Sequence, residues 1–168
     1  MPERDLTDHL TAQFVEAYES AQPLDIQGAS SKSFLGNPVA GRTVSLAGHQ
    51  GVTAYEPTEL VVTARAGTPL DELESTVAQE GQMLACEAPR YQGLATVGGA
   101  VASGLSGPGR PFLGGMRDCV LGVKMLNGKG QCLRFGGRVV KNVAGFDVPR
   151  LLCGSMGCLG AILEVTFK

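Results

Sequence analysis

Three segments of this 168-residue chain combine residue types that can hold an anion without a cluster of positive charge. Gly28-Ala29-Ser30-Ser31-Lys32 offers successive backbone amides, two hydroxyls and one ammonium. Ala95-Thr96-Val97-Gly98-Gly99 precedes a short helix-compatible run, Ala100 to Ser103, and so can aim a helix N-terminus. Gly154-Ser155-Met156-Gly157-Cys158-Leu159-Gly160 leads into the apolar Ala161-Ile162-Leu163. Converging amides form an anion nest, and a helix dipole reinforces it. Glycine loses the most backbone freedom on folding. Its density here, continued by Ser103-Gly104-Leu105-Ser106-Gly107, points to something that comes close to bare backbone. An extended anionic ligand such as a diphosphate, gripped by two loops from opposite sides, would do that.

Other phosphate and catalytic patterns are excluded. No G-x-G-x-x-G follows a strand and opens a helix. Gly128-Lys129 is followed by Gly130 rather than Ser or Thr, which rules out a Walker A loop. There is no G-x-S-x-G elbow and no histidine placed for a triad. The five cysteines form no C-x-x-C pair, and the two histidines, His9 and His49, lie far from any metal-like cluster. The cysteines are expected to be reduced and mostly buried. A net charge of −2 provides no basic stripe for nucleic acid. The apolar runs are too short to span a bilayer, and a start this polar is expected to carry no secretory signal. With 43% hydrophobic and 18% charged residues, the chain is expected to fold around a core.

The elements that must position these loops are legible. Arg4 to Ser20 reads as a helix with Leu6, Leu10, Phe14 and Tyr18 on one stripe. Pro23 to Gln27 and Val44 to Leu46 read as short strands, as do Glu59 to Ala66 and Met83 to Cys86. Thr68 suits the N-cap of a helix that has Pro69 at its first position, Asp71 completing an approximate capping box, and Leu70, Leu73, Val77 and Ala78 inward. Gly81 suits the left-handed position after that helix. Val120 to Leu126 and Gln131 to Phe135 form a hairpin around Asn127-Gly128, a pair that tolerates positive φ. Ala161 to Phe167 is a last strand. This order predicts an α+β fold in two lobes, about 1–88 and 93–168, divided in the loop Glu87 to Gly93.

These segments resemble the PCMH-type, or vanillyl-alcohol-oxidase-type, FAD-binding domain. Ala95 to Gly99 is similar to its A-T-I/V-G-G element, Arg117-Asp118-Cys119-Val120-Leu121-Gly122 to R-D-x-V-L-G, and Gly154 to Gly160 to G-S-x-G-T-L-G. Within that family the similarity runs to the FAD-binding E-type subunits of bacterial glycolate oxidases. It is carried by Glu56 to Leu60, Ala64 to Leu70, Gly104 to Pro108 and Lys141 to Asp147. The resemblance implies a cytoplasmic flavoprotein subunit that oxidises glycolate, a 2-hydroxy acid, to glyoxylate and passes electrons to a second flavin subunit and an iron–sulfur subunit. Any membrane association would then be peripheral, through partners. In relatives a substrate or cap domain follows; this sequence is expected to lack it and to be inactive alone. The alternatives are a structural adaptor that binds flavin weakly or not at all, and the FAD domain of a D-lactate-type dehydrogenase.

The resemblance also implies non-covalent FAD, since neither histidine matches an attachment position. Gly28, Ala29, Ser30, Ser31, Lys32, Thr96, Val97, Gly98 and Gly99 would hold the diphosphate and ribityl chain. Ser103, Gly104, Ser106 and Gly107 would run toward the flavin ring, which Pro89 would border. Gly154, Ser155, Gly157, Gly160 and Ile162 would line the ribityl and adenosine side. Ala29 and Ser30 depart from the family's G-G-G-S-K, and Cys158 replaces a threonine. Arg110, Arg117 and Lys141 are the cations near the glycine loops. Any of the three could stabilise the negative charge of reduced flavin, but Arg117-Asp118 reads rather as a local ion pair or a strand-orienting turn; Asp147 reads as a helix cap, and Tyr91 and Phe112 as packing on ligand or on protein. No catalytic base is assigned.

Overall fold

The first helix, α1 (Thr7–Glu19), follows from its apolar spacing, with Leu10, Phe14 and Ala17 buried. Tyr18 is not on that face; it is 55% exposed. Each i+4 step overshoots a full turn by about 40°, so three steps from Leu6 carry Tyr18 off the stripe and bring Ala17 onto it. The computed structural model describes residues 4–137 and 145–168, so Lys141 and Asn142 lie outside the described residues.

Two sheets follow. β1 (Leu24–Gln27) and β2 (Arg42–Ser45) form a parallel pair, Leu24 opposite Arg42 and Gln27 opposite Ser45. The larger sheet holds β3 (Val52–Glu56), β4 (Val61–Arg65), β5 (Val120–Leu126), β6 (Cys132–Gly136) and β7 (Ala161–Phe167) in the order β3-β4-β7-β5-β6, with every pair antiparallel. β7 is central and buried along its whole length, which explains its nearly continuous apolar run. β4 and β7, from either side of residues 87–93, are neighbours in this sheet. The buried residues of α1, β4, β5 and β7 join those of α2 (Leu70–Ala78) and α3 (Val97–Ser103) in one core. The mixed helix and sheet architecture is the α+β class expected.

Five local expectations are corrected. Thr68 is not the N-cap of α2; that position is Pro69, without a side-chain cap. The buried Thr68 hydroxyl instead accepts from the Gly51 amide at 2.9 Å and faces the Gly51 carbonyl at 3.3 Å. Asp71 pairs with Arg90 at 3.0 Å rather than completing a capping box, and Ala78 is exposed. Met83 to Cys86 alternates as a strand would, with Leu84 and Cys86 buried, yet joins no sheet. It packs instead on the short helix α5 (Met116–Cys119), where the Cys119 thiol donates to the Ala85 carbonyl at 2.9 Å. In the hairpin the positive φ, +74°, falls at Gly130 rather than on Asn127-Gly128. Asn127 ties that turn by accepting from Lys129 and Gln131 at 2.9 and 3.0 Å. β3 went unread in the sequence. It reaches β4 through a single 3-10 turn, Pro57–Glu59, closed by Leu60 in the left-handed region at φ +56°.

The chain before α1 is fastened by a buried histidine. His49 Nδ1 accepts from the Leu6 amide at 3.0 Å, Arg4 bridges Gln50, and Asp5 pairs with Arg65 at 3.1 Å. Burial holds the His49 pKa below its ordinary 6.5; Asp5 and Glu164 push it up and Arg65 and Lys124 push it down by lesser amounts. The unfolded chain therefore takes up a proton that the folded chain resists. This contribution to stability is complete above pH 6.5 and is lost as the pH falls toward the folded value. Asp5, held below the usual carboxylate range by its hydrogen bonds to Thr7, loses its own contribution only at more acid pH. Urea unfolding midpoints are expected to fall from about pH 7 to about pH 5. His49→Asn, which keeps an acceptor for Leu6, should flatten that slope; an unchanged slope would exclude His49 as its source.

Candidate cofactor site

The first glycine loop leaves β1 and turns against the N-terminus of α3. A Cβ on Gly28 would lie 2.9 Å from Thr96 Oγ1, so the two loops expected to converge do meet. Among the described residues, no backbone amide from Gly28 to Lys32 donates a hydrogen bond within the chain, although the Gly28, Ala29, Ser31 and Lys32 residues are all at least half-buried. Unpaired amides away from water need a partner, and five in succession form a nest for anionic oxygens. Ser30 takes the left-handed φ of +55° that suits a glycine, steadied by its hydroxyl donating to Gln27 Oε1 at 3.0 Å. Lys32 is only 9% exposed and has no carboxylate within ion-pair distance among the described residues. Burial lowers its pKa, and an anion at the loop would relieve that desolvation.

α3 contributes differently from expectation. The Thr96 side chain caps it, accepting from the Gly99 amide at 3.3 Å. The Val97 and Gly98 amides donate to the Thr68 and Ala66 carbonyls at 2.9 and 2.8 Å. These amides are engaged by the fold and are not open donors. Gly98 is needed because a Cβ there would lie 2.6 Å from that of Ala66, so its close neighbour is the chain itself.

The third glycine segment is strapped across the far end of α3. Gly154 and Met156 donate to the Val101 and Ala102 carbonyls at 3.0 and 2.9 Å. Gly104, at φ +62°, has the Gly154 backbone 2.9 Å from where its Cβ would be, while the Ser103 hydroxyl donates back to Ala100 at 3.1 Å. Gly157 rests against Ile26 of β1, which closes a continuous wall from the first loop to the third. On that third segment the Ser155 hydroxyl is buried without a hydrogen-bond partner among the described residues. Gly160 lies against the Leu126 carbonyl and Ile162 is buried on β7 opposite Met125. Ile26, Gly157, Cys158 and Gly160 also line a pocket of about 550 Å³ beside α1.

Pro89 and Gly107 stand together in a separate pocket of about 660 Å³, with Glu74, Glu87, Arg90 and Pro108 on its walls. Gly107 donates to the Glu87 carbonyl at 2.7 Å, and the Ser106 hydroxyl accepts from Met116 at 3.3 Å. Asp118 accepts from the Gly115 amide at 2.9 Å and, among the described residues, forms no ion pair with Arg117; both lie in α5, which runs directly into β5. Asp147 caps α6, the helix Val148–Leu152, as expected, accepting from Arg150 at 3.2 Å; α4 is the intervening turn of helix Arg110–Leu113. Phe112 is 90% exposed, whereas Tyr91 packs edge-on against Phe34. Phe34 and Gln27 are supports that the sequence reading missed. The sequence signals were an aromatic two positions after Lys32 and a polar residue closing β1.

Cys132 and Cys158 are exposed, while Cys86 and Cys119 are buried. Burial pushes the half-buried Cys153 thiol up to about 11. Iodoacetamide at neutral pH is therefore expected to modify Cys132 and Cys158 first, read by peptide mass spectrometry, with Cys86 and Cys119 protected until the chain unfolds. Among the described residues no three His, Cys, Asp or Glu side chains could hold a metal ion, and no helix is long and apolar enough to cross a membrane.

The unpaired amides, the lysine that ends their loop and the unpartnered Ser155 hydroxyl suit a ligand that joins a diphosphate to a polyol chain. The chain is 51% identical to the glycolate oxidase subunit GlcE of Escherichia coli over 99% of its own length and 47% of that protein's. It is 27% identical to the glycolate oxidase subunit GlcD of Bacillus subtilis (96% and 35%) and 27% identical to a D-lactate dehydrogenase of Anaerostipes hadrus (96% and 34%). The chain thus spans about half the length, or less, of these curated relatives. An alkyldihydroxyacetonephosphate synthase structure shares the fold over 99% of this chain and 30% of its own, with a TM-score of 0.79 at 22% identity. Residues 7–136 match the model of the FAD binding domain, and the chain belongs to that PCMH-type family of flavoprotein domains.

Proposed function

We propose that this chain is the FAD-binding part of a glycolate-oxidase-type flavoprotein subunit. In the assembled enzyme it would serve the oxidation of glycolate to glyoxylate, with electrons passed to a second flavin subunit and an iron–sulfur subunit. The observation that carries the reading is the run of unpaired amides from Gly28 to Lys32 beside a buried lysine with no carboxylate partner. These amides would donate to the diphosphate oxygens, and Lys32 would neutralise their charge. The Thr96 side chain, which meets Gly28, would border the same group. Ser155 would donate its unpartnered hydroxyl to the polyol chain. Gly104 and Gly154, whose backbones meet, would keep that chain's wall narrow. Pro89, Ser106 and Gly107 would border the ring. Flavin, when bound, supplies the acceptor for the substrate's hydride; the protein supplies position and field.

The lobes of this reading are best divided by sheet: β1 and β2 with the first loop on one side, and the five-stranded sheet with α3 on the other. The adaptor alternative rested on Ala29 and Ser30. It loses support because Ser30 adopts the glycine-like turn. A D-lactate-type activity keeps support from the similarity to D-lactate dehydrogenases over most of this chain. Turnover of glycolate and of D-lactate by the full-length protein with its partner subunits, followed with an artificial electron acceptor, separates the two. Faster turnover of glycolate supports the proposal, and turnover of D-lactate without glycolate would replace it.

A further inference from the structure

We propose that Tyr91 is a positioning residue for the anion loop. Its ring holds the Lys32 ammonium beside the Gly28 to Lys32 amides and, with Phe34, latches that loop to the turn at residues 91–93, so that the contact sets how tightly FAD is retained. The inference rests on the reading that this loop takes the FAD diphosphate. Lys32 Nζ lies 5.9 Å from the centre of the Tyr91 ring, within the range where a cation is drawn to an aromatic face. Phe34 meets the same ring edge-on, with centroids 5.0 Å apart and planes at 82°. Tyr91 and Phe34 are 38% and 62% exposed, so core burial does not explain their pairing. The backbone on each side is held in the left-handed region by non-glycine residues, Ser30 at φ +55° and Gln92 at φ +57°. Such conformations persist where surrounding contacts over-determine them. Lys32 is buried without a carboxylate partner among the described residues, so the ring is what fixes the direction of its charge.

The experiment is FAD titration of the purified chain, followed by flavin fluorescence and by dissociation rate. The variants are Tyr91→Phe, Tyr91→Ala, Tyr91→Leu, Lys32→Met and the Lys32→Met/Tyr91→Ala double variant. Tyr91→Phe keeps the aromatic face and should bind within about twofold of the unaltered chain. Tyr91→Ala should bind about fivefold more weakly, equivalent to about 1 kcal/mol, and release FAD faster. Tyr91→Leu keeps apolar contact with Phe34 but lacks the π face, and should match Tyr91→Ala even if the alanine variant folds poorly. In the Lys32→Met background, removing the ring should cost nothing further, because it acts through the ammonium. Equal binding by Tyr91→Leu and the unaltered chain, or an equal cost of Tyr91→Ala in both backgrounds, overturns the inference. An unaltered chain that binds no FAD overturns the cofactor reading first, and the two failures are distinguished by that one measurement.

Discussion

Lys32→Met is expected to weaken FAD binding about 10- to 100-fold, because a charge-assisted contact to the diphosphate contributes about 1.5–3 kcal/mol. Lys32, a largely buried residue, ends the amide loop and has no carboxylate of its own among the described residues. Removing it leaves two negative phosphate groups held by neutral amides alone. The folded chain without cofactor should lose nothing, since a desolvated and unpaired charge is removed; its thermal midpoint should stay level or rise. Lys32→Arg should recover part of the affinity, because charge is kept while the fit beside Tyr91 changes. Isothermal titration of the variants checks all three expectations. A lysine that acts only in folding would give the opposite pattern, with lower stability and unchanged affinity.

Gly160→Ala is expected to destabilise the chain by at least about 3 kcal/mol, combining backbone strain with overpacking. Gly160 holds φ +134°, and a Cβ there would overlap the Leu126 carbonyl and lie 2.7 Å from the Met125 methyl. That contact is where β7 begins beside the end of β5, so it cannot open without disturbing the centre of the sheet. Gly154→Ala is the matched comparison. Gly154 has a positive φ of +84° but nothing within 4 Å of a Cβ, and should cost only the strain, about 1–2 kcal/mol. Urea unfolding of the two variants separates close approach from backbone conformation. Equal losses at both positions would show that φ alone demands glycine at residue 160.

These glycines also show why the sequence was only partly legible. A close neighbour of bare backbone was expected to be a ligand. At Gly98, Gly104, Gly107 and Gly160 it is another part of the chain: Ala66, Gly154, Glu87 and Leu126. Composition and spacing signal that something approaches, without saying what. The first loop was legible because its chemistry is local: amides, hydroxyls and a lysine in five consecutive residues. The Val97 and Gly98 amides are taken up by Thr68 and Ala66, acceptors too distant in sequence for a local motif to show. Thr68 itself has good N-cap chemistry, but its bonds with Gly51 prevail. α1 and the hairpin strands were readable from periodicity, and β7 from its nearly continuous apolar run. β3 was not, since it is half-buried over most of its length and shows no alternation. The pairing of Phe34 with Tyr91 joins two distant loops that no local pattern connects.

The decisive proposal is the assignment of Gly28 to Lys32 as the diphosphate end of an FAD site in this chain. Its most direct measurement is titration of the purified 168-residue chain with FAD and, separately, with riboflavin, which lacks the diphosphate. The expected result is one FAD per chain, with a perturbed flavin absorption spectrum, and riboflavin bound at least about 100-fold more weakly. Riboflavin bound as tightly as FAD, or an unchanged FAD spectrum at saturating chain concentration, would contradict it.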